Sequence, residues 1–74
     1  MIRFEEALNK AKALKPDIDG GTEWEKGFVF SSSKDEGNIG GPGPVVILKE
    51  SGEAVNMSDF MLNNPGKMIK DFEL

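Results

Sequence analysis

Seventy-four residues, 8.1 kDa, hold one domain, and folding removes roughly 60% of the surface that the unfolded chain exposes, near the lower limit for a self-sufficient core. With no Cys, His or Tyr, the chain offers no disulfide, no thiol to attack or bind metal, no imidazole base and so not the commonest metal ligand, which argues against most enzyme classes. Nine basic against 13 acidic residues leave a net charge of −4, which opposes nucleic-acid binding and adhesion to anionic membranes and suits solubility or a basic protein partner.

Residues 3–15 read as an amphipathic helix, because Phe4, Ala7, Leu8, Ala11 and Leu14 recur at 3.6-residue spacing. Glu5 and Glu6 at its start and Lys10, Lys12 and Lys15 toward its end complement the helix dipole. Pro16 stops it, and Ile18 is expected to turn back into the same core. Thr22 to Glu25 and Phe28 to Ser32 read as a hairpin, with turn chemistry at Glu25-Lys26-Gly27 and a positive φ at Gly27. Trp24 is expected near Phe28 across that hairpin. Four glycines and two prolines between Ser33 and Pro44 deny that stretch regular structure, leaving connector and contact surface as its two readings.

Val45 to Glu50 reads as a buried central strand, Ser51-Gly52 as a tight turn and Glu53 to Met57 as the returning strand. Ser58 is the expected N-cap of a helical turn through Leu62. Asn64-Pro65 resembles a second helix start, so Lys67 to Phe72 reads as a short helix with Met68, Ile69 and Phe72 inward; a strand is the alternative. The expected fold is a single α+β domain over 1–74. It has an N-terminal helix on a three- to four-stranded antiparallel sheet, with a helical segment at about 58–72.

Patterns that would carry chemistry fail on their spacing. The glycines at 37–43 are followed by a strand rather than by a lysine and a helix, so no phosphate loop forms there. Asp17-Ile18-Asp19-Gly20 begins like a calcium loop, but Gly21, Thr22 and Phe28 stand at the positions that need a ligand, a glycine and a glutamate. Ser31-Ser32-Ser33 has no histidine to activate it. No catalytic residue, metal or cofactor is expected. The candidates for a contact with a protein partner are Glu23, Trp24 and Glu25 on the first hairpin and Asp35 and Glu36 in the long loop. Trp24 has two readings, as core or as an interface anchor. Acidic residues at 5 and 6, with no apolar run behind them, make a signal peptide unexpected and the cytoplasm the expected setting.

Phe4-Glu5-Glu6-Ala7-Leu8, Gly27-Phe28-Val29-Phe30, Gly43-Pro44-Val45-Val46-Ile47, the Gly52-Glu53 turn and the ending Asp71-Phe72-Glu73 follow one another in an order that resembles the small YrhB-like family. That family is grouped with bacterial immunity proteins of polymorphic toxin systems. The resemblance implies a cytosolic protein that binds and neutralises a cognate toxin without chemistry of its own, as a monomer or weak homo-oligomer. Arg3, where Ser or Thr would be the usual N-cap, and the glycine-rich 37–43 loop depart from the family's pattern.

Overall fold

The computed structural model describes residues 1–32 and 44–74. Helix α1, Phe4–Leu14, ends where Lys15 leaves helical geometry ahead of Pro16, with the Lys15 N–H still donating to the Ala11 carbonyl at 2.7 Å. Five strands follow the expected hairpins and add one more: β1 (Gly20–Trp24), β2 (Gly27–Ser31), β3 (Val45–Leu48), β4 (Ala54–Asn56) and β5 (Met68–Glu73). The short helix α2, Met57–Leu62, lies between β4 and β5. The sheet is antiparallel throughout, in the order β4-β3-β2-β1-β5.

The central strand is β2, and its alternation divides the core into two layers. Phe28 and Phe30 face α1, where they join Ala7, Ala11, Ile18 and Ile47, with Phe4, Leu8 and Phe72 closing the margin. Val29 faces the other side, where it joins Val46 and Phe60 under α2, with Trp24, Leu48 and Val55 at the edge. A strand covered on both faces is apolar at successive positions, which is why Phe28-Val29-Phe30 does not alternate. Val45–Leu48 shares that property but is one place from the edge and ends two residues before Glu50. Ile18 turns inward as expected. Leu14 does not: it is 62% exposed.

Several local expectations are corrected. The hairpin link is Glu25-Lys26, and Gly27 opens β2; the glycines with positive φ among the described residues are Gly52 and Gly66. Trp24 does not meet Phe28. Glu23 pairs with Phe28 in the register, so the next residue, Trp24, is sent to the α2 side, where its ring stands edge-on to Phe60 at 6.1 Å. The link from β3 to β4 is wider than a two-residue turn, closed by Gly52 N–H to Leu48 carbonyl (2.8 Å) and Leu48 N–H to Glu53 carbonyl (2.9 Å).

The N-cap of α2 is Asn56 rather than Ser58. Asn56 has extended backbone, and its Oδ1 accepts from the Asp59 N–H at 2.7 Å. That bond satisfies one of the donors a helix start leaves open. Asn56→Ala is expected to cost about 1 kcal/mol in urea denaturation, and Ser58→Ala nearly nothing. Equal losses for the two would refute the Asn56 cap.

The segment read as a helix is strand from Met68 on, and Lys67 belongs to the connector before it. Asn64 (φ 57) and Gly66 (φ 82) take left-handed geometry, so Asn64-Pro65 begins a connector and not a helix. Glu25 holds that connector: its N–H donates to the Lys67 carbonyl (3.1 Å), and its Oε1 accepts from the Lys67 N–H (2.6 Å). The chain then enters β5 beside β1. Pairing with β1 satisfies a row of β1 backbone groups that a helix at this position would leave open, and burying backbone without partners is costly. Met68 and Ile69 are both 54% exposed, and only Phe72 reaches the core.

Candidate functional site

Three of the expected contact residues lie among the described residues, and the fold uses them in three different ways. Glu23 is on the α1 side of β1. Its Oε2 pairs with Lys49 Nζ at 2.9 Å, and both side chains are largely shielded, at 22% and 13% exposed. Lys49 Nζ also stands 4.9 Å from the Phe28 ring centre. Glu25 is committed to the Lys67 N–H. Trp24 is half-buried, with its Nε1–H donated to Thr22 Oγ1 at 2.8 Å. Asp35 and Glu36, with the rest of 33–43, lie outside the described residues. The three residues therefore do not combine into one acidic face: two carboxylates serve internal contacts, and Trp24 points away from Glu23.

Trp24 has other neighbours. Residues directly opposite in a sheet share a face. Thr22 is opposite Val29 and Asp71, Gly20 is opposite Glu73, and Trp24 is opposite Met68. Val29 is on the α2 side, so Trp24, Asp71 and Glu73 are on that side too; the β1–β5 register shifts between Glu23 and Trp24, and past that irregularity Met68, not Ile69, is the residue opposite Trp24. The helix α2 packs on β3 and β4, and over the β1–β5 flank of this face no helix lies among the described residues. The result is a half-open surface with an apolar end, Trp24 and Met68, and an acidic end, Asp71 and Glu73. Both carboxylate residues are exposed. A helix over 67–72 would not bring these acids onto the Trp24 face; the alternation in Lys70-Asp71-Phe72-Glu73 is the signal that favours the strand.

A second concavity, of about 590 Å³, opens between the β1–β2 link and α2. Leu48, Val55 and Phe60 line it on the apolar side, and Lys26, Glu50 and Asp59 on the polar side. Among the described residues, no group of three or more His, Cys, Asp or Glu converges as a metal site, and no helix is long and apolar enough to cross a membrane.

No family model, curated protein or solved structure matches the chain. The YrhB-like resemblance rests on the residues quoted for it.

Proposed function

We propose that this chain is a non-enzymatic protein-binding domain whose contact surface is the β1–β5 flank on the α2 side. The observation that carries the reading is that Asp71 and Glu73 share one face of the β1–β5 flank with half-buried Trp24 and exposed Met68, the acids at one end and the apolar pair at the other. An aromatic anchor next to like charges suits a basic partner: the apolar end gives contact area, and the acidic end speeds and orients the encounter. The net charge of −4 acts in the same direction. In the form that the YrhB-like resemblance implies, the partner is a basic toxin and the domain occludes its active site. A cytoplasmic setting goes with this reading, as does a monomer or weak homo-oligomer.

The test is capture of partners from a lysate of the chain's own source, at about 50 mM and about 500 mM salt, where screening differs strongly. The full chain is compared with an Asp71→Lys, Glu73→Lys variant. A stoichiometric basic protein is expected on the wild-type chain at low salt, reduced at high salt and lost on the variant. A partner that both chains retain equally would sink this surface, and the absence of any partner would move the assignment to a small ligand in the 590 Å³ groove.

A further inference from the structure

We infer that the free edge of β5 accepts an extended segment of the partner as a sixth, antiparallel strand, with basic residues at alternate positions. This inference rests on the protein-binding reading above and specifies its mode.

The backbone directions follow from the ladders. Bonded and non-bonded pairs alternate in an antiparallel ladder, and the Lys49 N–H donates to the Lys26 carbonyl at 3.0 Å, so Phe28 and Phe30 bond toward β3 and Val29 and Ser31 toward β1. On β1, Gly20 and Thr22 are opposite Ser31 and Val29 and bond toward β2, which leaves Gly21 and Glu23 to bond toward β5. Phe72–Gly21 and Lys70–Glu23 are therefore bonded pairs, and the Leu74 N–H, donated to the Asp19 carbonyl at 3.0 Å, continues the same side of β5. Glu73–Gly20 and Asp71–Thr22 are the non-bonded pairs. The N–H and C=O groups of Asp71 and Glu73 therefore point away from β1, toward an edge that carries no strand among the described residues. The opposite edge of the sheet is less suitable, since β4 has three residues and runs straight into α2.

The side chains specify the visitor. Residues of an added strand opposite Asp71 and Glu73 are two apart and share their face, so Lys or Arg at both positions stands across from a carboxylate. The residue between them is opposite Phe72, which is half-buried on the α1 side, and an apolar side chain extends that margin. The motif is basic–apolar–basic in extended conformation, with main-chain bonds supplying affinity and the alternate side chains specificity.

A second copy of this chain is a poor occupant. A two-fold axis normal to the sheet sets a residue opposite its own copy. Registers centred on Lys70 or Asp71, which overlap most of β5, place Lys70 against Lys70 or Asp71 against Asp71. Like charges directly opposite destabilise the pair.

The experiment is an amide NMR titration of the full chain with a capped seven-residue peptide alternating Lys and Val. In the proposed register the lysine N–H groups face β5 and the valine N–H groups face away. Three further peptides carry N-methyl groups on the lysines, N-methyl groups on the valines, or Glu in place of Lys. The Lys–Val peptide and its valine-methylated form are expected to shift the Asp71 and Glu73 amides, and the other two are expected to bind no more. The charge-removing variant Asp71→Asn, Glu73→Gln should bind the Lys–Val peptide about fivefold more weakly. Binding that survives lysine N-methylation would overturn strand addition in favour of plain charge attraction. So would shifts centred away from β5, or self-association of the chain that broadens the same amides without peptide. A captured partner sensitive to the Asp71→Lys, Glu73→Lys change, together with failure of every peptide, would retain the contact surface and remove the sixth strand.

Discussion

Phe30→Ala is expected to cost about 3–5 kcal/mol, a large part of the about 4–11 kcal/mol that a chain of this length commands at about 0.05–0.15 kcal/mol per residue. Phe30 is fully buried. Its ring centre is 5.6 Å from that of Phe72, 5.9 Å from Phe4 and 6.3 Å from Phe28. Those partners come from β5, α1 and β2, so a single side chain joins three elements that are far apart in the sequence. Phe4 also stands edge-on to Phe72 at 5.1 Å and to Phe28 at 5.5 Å, so the four rings form one cluster with favourable edge-to-face contacts. Removing the central ring leaves a void that two half-buried neighbours, Phe4 and Phe72, cannot close without drawing α1 and β5 inward. Urea denaturation followed by Trp24 fluorescence measures the loss. A cost below about 1 kcal/mol would show that the cluster collapses freely and that the α1 face is not the main store of stability. Phe4→Ala provides the comparison: its side chain is only half-buried, and a smaller loss is expected.

What the residues reveal in advance depends on how local the deciding interaction is. The helix α1 was legible because its stripe, its charges and Pro16 all lie within it. The first hairpin is legible because Phe28-Val29-Phe30 and the turn chemistry of Glu25-Lys26-Gly27 are adjacent, although Gly27 itself belongs to β2. The fate of 67–72 was not, since Met68, Ile69 and Phe72 satisfy a helical stripe about as well as a strand. The vacant side of β1, together with the grip of Glu25 on Lys67, decides between them. That choice hid Asp71 and Glu73 as members of the Trp24 face. It also explains Glu23 and Glu25. Their acidity suggested a contact surface, but Lys49 comes from 26 residues away and the Lys67 N–H from 42, separations at which spacing rules say nothing. The N-cap of α2 was misplaced by two residues for the opposite reason. Ser58 and Asn56 are both competent caps, and the end of β4 decides between them, since β4 runs directly into the helix.

Gly21→Ala is expected to damage the fold more than any other single methyl added to the β1–β5 flank, at about 3 kcal/mol, the upper end of the overpacking range. A methyl at Gly21 would stand 1.9 Å from the Val29 carbonyl oxygen, 2.9 Å from its carbon and 3.0 Å from Phe72 Cζ. The first two atoms belong to the backbone of the central strand and are held in the β2 ladders, so they cannot rotate aside as a side chain would. Gly52 gives the contrast. Its φ of +74 penalises alanine, but its closest neighbour, at 2.9 Å, is the ammonium end of Lys10, which can swing away. Gly52→Ala should therefore cost about 1 kcal/mol. Gly21 sits between Phe30 on β2 and Phe72 on β5, so relief of the clash requires β1 to part from β2, from β5 or from both. Hydrogen exchange separates this from a uniform loss: amides of β1 and β5 should open first in Gly21→Ala, with those of β2 and β3 protected longer. An alanine variant within about 0.5 kcal/mol of wild type, the ordinary range for a surface change, would mean that β1 lies differently against β2. The register that puts Asp71 and Glu73 on the Trp24 face would then have to be redrawn.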